Sequence, residues 1–243
     1  MQNCKMFLGR LKTAETKAFS HFKSLRSLFI QTEETPNPNS IKFHPGITVL
    51  PEKYGSGFYC TRNDKERNRS PLAKKIFSEI DEIQGVFMGR DFITLTKDSD
   101  SSWNIIQPIS LGILMDFLAE KKPVITEAPK PSDTAISDDD DEVVMMIKEL
   151  IEERIRPSVQ DDGGDIFYKG FDRDTGIVKL QLAGSCKGCP SSSVTLKQGV
   201  ESMLMHYVSE VQGVEEFVDD ELENVNKKEI SELEERLRRA GVP

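Results

Sequence analysis

Cys186 and Cys189, in Leu182-Ala-Gly-Ser-Cys-Lys-Gly-Cys-Pro-Ser191, are the one pair of side chains in the 243 residues with metal-ligand spacing. Thiolate, not thiol, is the form that binds metal or attacks a disulfide, so the first question is what would deprotonate them. Upstream, Ile177 to Leu182 alternates, with Val178, Leu180 and Leu182 on one face and Lys179 and Gln181 on the other, the period of a half-buried strand. Downstream the period changes. Leu196, Val200, Met203, Leu204, Tyr207, Val208 and Val211 recur at three and four, which predicts a helix starting just after Pro190. The cysteines therefore lie on a loop that enters a helix N-terminus, where unpaired amide hydrogens and the positive end of the dipole favour thiolate. Gly184 and Gly188 allow a tight backbone approach to whatever the sulfurs hold.

Three chemistries compete for such a loop. A disulfide oxidoreductase uses C-x-x-C at a helix start, usually with an aromatic residue or Gly-Pro in the segment, which Lys187-Gly188 does not supply. A structural zinc site needs four ligands, and there is no second C-x-x-C and no H-x-x-x-H, so zinc would have to be completed by another protomer. An iron-sulfur cluster suits soft thiolates and shares the shortage of two ligands. A plain pair of buried cysteines is the fourth possibility. Composition and spacing alone stop at a thiolate metal site with ligands shared between chains. Motifs for phosphate chemistry, serine hydrolysis and zinc proteolysis are absent from the sequence, and no enzymatic activity is expected.

The elements around the loop set its context. Residues 1–28 carry six Lys and Arg against the single acid Glu15, with Ser, Thr and apolar residues interspersed, the composition of a mitochondrial transit peptide. Without that segment the formal charge of −9 becomes −14. Such acidity argues against nucleic acid and for basic patches on protein partners. No apolar run reaches the length of a membrane span. Cys4 would leave with the transit peptide.

Residues 29–122 read as a first domain of ββαββα order. Strands are expected at Phe29 to Thr32 and Ser40 to Phe43, around the turn Thr35-Pro-Asn-Pro-Asn39. Ser70-Pro71 opens a helix with Leu72, Ile76, Ile80 and Ile83 in period; a hairpin turns at Gly89 to Asp91; and Trp103 to Lys121 is a second helix on an apolar face that includes Ile106 and Ile109. His44 and Cys60 stand alone, without ligand spacing. Residues 123–141, rich in Pro, Ser and Asp, read as a flexible acidic linker. Residues 142–220 read as a second domain of αββαβ order: a helix striped by Val143, Ile147, Leu150, Ile151 and Ile155 and ended or kinked by Pro157, a tight turn at Asp161-Asp-Gly-Gly-Asp165, a hairpin, the cysteine loop, a long helix and a last strand at Val214 to Val218. The turn has three carboxylates but not the spacing of a calcium loop. The fold class is α+β, two small domains joined by the linker. Residues 221–243 read as an added charged helix.

Arg156-Pro-Ser-Val-Gln-Asp-Asp-Gly-Gly-Asp-Ile166 followed by Gly184-Ser-Cys-Lys-Gly-Cys-Pro-Ser-Ser192 closely resembles the NifU-like C-terminal domain. Phe29-Ile-Gln-Thr32 with Thr35 to Phe43 resembles the N-terminal domain of the mitochondrial Nfu scaffold proteins. The resemblance implies a non-enzymatic carrier in the mitochondrial matrix that holds a 4Fe-4S cluster on Cys186 and Cys189, with assembly donors and with acceptors such as lipoyl synthase and respiratory-complex subunits. Because one chain supplies only two of the four thiolates, two protomers are expected to share the cluster, as a homodimer or higher oligomer when loaded. A thiol-disulfide oxidoreductase acting through the same two cysteines is the alternative. The first domain is expected to engage partners without holding metal, so that a fragment starting near Asp140 would load by itself.

Overall fold

A computed structural model describes residues 29–126, 131–188 and 192–217. The expected transit peptide, the C-terminal charged helix and Cys189 lie outside the described residues.

The first region contains β1 (Gln31–Glu34), β2 (Ser40–His44), β3 (Phe58–Thr61), α1 (Pro71–Glu79), β4 (Ile83–Met88), β5 (Ile93–Lys97) and α2 (Trp103–Ala119). Its antiparallel sheet runs β1-β2-β5-β4-β3. The sequence reading misses β3, whose four residues, Phe-Tyr-Cys-Thr, sit among glycines and charges too dense to leave a readable period. α1 starts where expected: Ser70 Oγ accepts from Ala73 N at 3.0 Å, and Pro71 occupies the first turn, where no amide hydrogen is required. Leu72, Ile76, Ile80 and Ile83 are all buried, joined by Phe43, Leu95, Ile106 and Leu114 in one core between helices and sheet. Ile109, by contrast, faces solvent from α2.

The second region contains α3 (Glu142–Leu150), a π turn (Ile151–Ile155), α4 (Arg156–Asp161), β6 (Gly164–Asp172), β7 (Ile177–Gly184), α5 (Ser192–Tyr207) and β8 (Gly213–Glu216). β6 pairs antiparallel with β7, and β8 parallel to it. Asp141 caps α3 by accepting from Val144 N at 2.9 Å. Pro157 does not end the helical stretch, which continues through it into α4. The chain widens into the π turn just before it, which accommodates a residue with no N–H to donate and a ring that crowds the preceding carbonyls. Ile147, Ile151 and Ile155 pack with Val178, Leu180, Val200 and Leu204 in a second core. Tyr207, expected on the buried stripe of α5, is instead 53% exposed.

These regions are in contact. One face of the five-stranded sheet carries α1 and α2; from the other, Phe87 and Phe92, with ring centroids 5.6 Å apart, pack on Ala183 of β7, flanked by Tyr59 and Phe167. The linker is also engaged. Asp133 accepts two bonds from Arg156 Nη2, at 2.8 and 2.9 Å, and Lys148 Nζ donates to Ala135 O at 3.0 Å and to Asp140 Oδ2 at 2.6 Å. Composition alone describes this stretch as solvated spacer, because the arginine and lysine that hold it lie on the next helices.

Candidate metal centre

β7 ends at Gly184, and Ser185, Cys186, Lys187 and Gly188 continue toward α5. Gly184 has φ +64°, and a Cβ there would stand 2.8 Å from Gly163 O. Only glycine turns the chain this way without strain at that separation. Across from it runs the Asp161-Asp-Gly-Gly-Asp165 turn, with Gly163 at φ +80°. A Cβ on Gly164 would lie 2.3 Å from Cys186 Sγ, so Gly164 is the floor on which the sulfur rests. Cys186 is 3% exposed, while Lys187 and Gly188 are open to solvent.

Three successive carbonyls of the acidic turn organise the surroundings. Asp161 O accepts from Lys42 Nζ of the first region at 3.0 Å, Asp162 O from Ser185 Oγ at 2.6 Å, and Gly163 O from Ser185 N at 3.3 Å. The side chains of Asp161 and Asp162 remain exposed, so the turn works through its backbone. Ser185 O, in turn, accepts from Asn37 Nδ2 at 2.9 Å. Lys187 Nζ stands 5.4 Å from the centre of the Tyr59 ring.

Beneath the loop Asp165 is fully buried. Its Oδ1 accepts from Arg156 Nε at 3.1 Å and from Ile166 N at 2.7 Å, and its Oδ2 from Gln160 Nε2 at 3.2 Å. Burial raises the Asp165 carboxyl pKa, and Arg156 only partly offsets this. For Arg156 burial acts downward but is outweighed by Asp165, Asp133 and Glu152, which raise it. The third carboxylate of the motif is thus an internal counter-ion, in agreement with its reading as a turn rather than a calcium loop.

Residues 147–215 match the NifU-like domain, and residues 30–121 match the family described as scaffold protein Nfu/NifU N terminal. The chain belongs to the Nfu/NifU family. NifU-like protein 5, mitochondrial, of Arabidopsis thaliana is 52% identical over 210 residues, spanning 86% of this chain and 74% of its own. The NFU1 iron-sulfur cluster scaffold homolog, mitochondrial, of Drosophila sechellia is 48% identical over 214 residues, 88% of this chain and 73% of its own. A solution structure of a NifU-like protein from Saccharomyces cerevisiae is similar over 47% of this chain and 98% of its own, at 30% identity and a TM-score of 0.40. Like its named relatives, the Nfu/NifU chain described here is mitochondrial.

In this family member Cys60 and His44 both lie in the first region, on β3 and β2. Cys60 lies in the first core, fully buried, and burial followed by Asp64 and Glu66 pushes its thiol well above the usual range. His44 Nε2 is 3.0 Å from Glu33 Oε2 at the edge of the sheet. Among the described residues no group of three or more His, Cys, Asp or Glu converges on a metal position. Sequence reasoning passed over Asn37, Lys42 and Asp133, each a single polar residue whose partner is more than twenty residues away; only the turn composition around Asn37 marked its neighbourhood.

Proposed function

We propose that the protein is a non-enzymatic scaffold that carries a 4Fe-4S cluster as cargo between two protomers, each offering Cys186 and Cys189, and delivers it to mitochondrial apoproteins such as lipoyl synthase and respiratory-complex subunits. The observation that carries this reading is Cys186 seated on Gly164 at a strand-to-helix junction, with the adjoining Lys187-Gly188 open to solvent. A soft thiolate at that position suits iron and sulfide. The name of the Drosophila sechellia relative, an iron-sulfur cluster scaffold homolog, supports cluster scaffolding as the task. Four thiolates hold such a cluster, and one chain contributes two from this loop, so a second copy completes the set. Each loop also brings a helix N-terminus toward the anionic cargo, which lowers the cost of gathering charge there.

Anaerobic reconstitution with iron and sulfide, followed by light scattering, an absorption spectrum and iron and sulfide analysis, tests the reading. The expected product is a dimer, or a multiple of one, with one cluster per two chains. A holo monomer with a complete cluster would remove the bridged arrangement. Failure to take up iron, together with disulfide exchange through Cys186 and Cys189, would replace the scaffold by the oxidoreductase.

A further inference from the structure

The first region reaches the cysteine loop itself. Asn37 is 2% exposed, and its amide is engaged at both ends: Oδ1 accepts from Asn39 N at 3.0 Å, closing the turn, and Nδ2 donates to Ser185 O at 2.9 Å across 148 residues of sequence. The Ser185 carbonyl and the Cys186 amide belong to one planar peptide unit. A hydrogen bond to that oxygen fixes the plane from which the Cys186 side chain departs. The other two anchors of Ser185, Asp162 O and Gly163 O, come from within the second region. Asn37 supplies the third from outside it, and its approach is secured by Lys42 on Asp161 O and by Gln160 Nε2 on Ser56 O at 3.3 Å.

We propose that Asn37 is a positioning residue for the cluster: with the two regions docked, it preorganises the peptide that carries Cys186, and undocking loosens that ligand. This rests on the scaffold reading and extends it, because it gives the first region a part in holding cargo. The rate of release is then set by an interdomain contact as well as by the thiolates.

Asn37→Asp is the informative variant. It keeps the size and the acceptor for Asn39 N, but replaces the donor with an oxygen that faces the Ser185 carbonyl. Asn37→Ser is the companion, removing the reach to Ser185 without adding charge, and serves should the aspartate disturb folding. The first readout is amide exchange in the apo full-length chain. A lost buried hydrogen bond to a carbonyl is worth about a factor of ten, so exchange across Ser185 to Lys187 should rise about tenfold while amides of β5 keep their protection. The second is transfer of a reconstituted cluster to a chelator, expected to quicken by a similar factor with altered visible circular dichroism of the bound cluster. Loop exchange at the wild-type rate in both variants overturns the proposal. Because exchange is read without cargo, it decides the matter for Asn37 independently, and failure of the wild-type chain to load counts against the scaffold reading alone.

Discussion

Arg156 Nε and Asp165 Oδ1 lie 3.1 Å apart with side chains 3% and 0% exposed, directly under the turn that faces Cys186. The guanidinium is shared. It also donates to Asp133 and Thr134 of the linker, to Glu152 and to the Ile166 carbonyl. One side chain thus joins linker, helix and cysteine-bearing hairpin. A buried charge so satisfied tolerates no loss of its partner, since the ion left behind has neither water nor counter-charge.

Arg156→Ala should therefore destabilise the protein by about 3–5 kcal/mol, read by urea unfolding at neutral pH. The deficit depends on pH with a definite sign. A carboxyl whose folded pKa is raised contributes stability that is present below its unfolded value and lost as pH rises through the folded one. Removing Arg156 raises it further, so the deficit should be smaller near pH 4 than near pH 7. A deficit that grows on acidification would contradict the assignment of Asp165 as the uncompensated group.

Gly164→Ala places a methyl 2.3 Å from Cys186 Sγ and 2.8 Å from Ala183 O. The carbonyl belongs to a paired strand, so the sulfur must move. A cost of about 1–3 kcal/mol is expected, as for other overpacked sites, together with weaker retention of cluster. Thermal unfolding and transfer to a chelator report the two effects, and wild-type values in both would mean that the sulfur has room to step aside.

Cys186→Ser and Cys189→Ser should each abolish cluster binding and leave the circular dichroism of the fold unchanged, because a hydroxyl is a poor ligand for soft metal while the side chain hardly changes in size. Full iron loading of either variant would exclude that residue as a ligand.

Cys60 governs an alkaline limb. Its thiol is held protonated in the fold, so its contribution is fully present below the ordinary thiol pKa and is lost as pH rises above it, at about 1.4 kcal/mol per pH unit. Tyr59 beside it, raised chiefly by burial, acts in the same sense further up. Stability measured from pH 8 to 10.5 should fall, and Cys60→Ala should fall less steeply. Parallel slopes would indicate that the thiol is not the titrating group.

Most of the element order and both helical cores were legible because period and caps act locally: Ser70 and Asp141 begin their helices as their types dictate, and the alternation of Val178, Leu180 and Leu182 is realised in full. Cys186 was legible from spacing. What escaped was non-local. Phe87 alternates with Val86 and Met88, so its burial together with theirs means that β4 is covered on both faces, yet a three-residue apolar run does not say by what. Likewise Asp133, alone between Ser132 and Thr134 in a linker rich in Pro, Ser and Asp, looks like solvated charge until Arg156 is seen to face it. Partners chosen by the fold leave little trace in either sequence neighbourhood.

The joint at residues 161–163 has a consequence for tolerance to mutation. Lys42 and Ser185 address carbonyl oxygens, which every amino acid possesses, and leave the carboxylates of Asp161 and Asp162 in solvent. Replacing either aspartate by asparagine changes the surface charge but none of those acceptors, whereas a side chain at Gly163, where φ is +80° and a Cβ would meet Thr35 Cγ2 at 3.0 Å, turns all three away together. The surface charge beside the cysteine loop is accordingly free to drift, while the path of the backbone beneath it stays fixed.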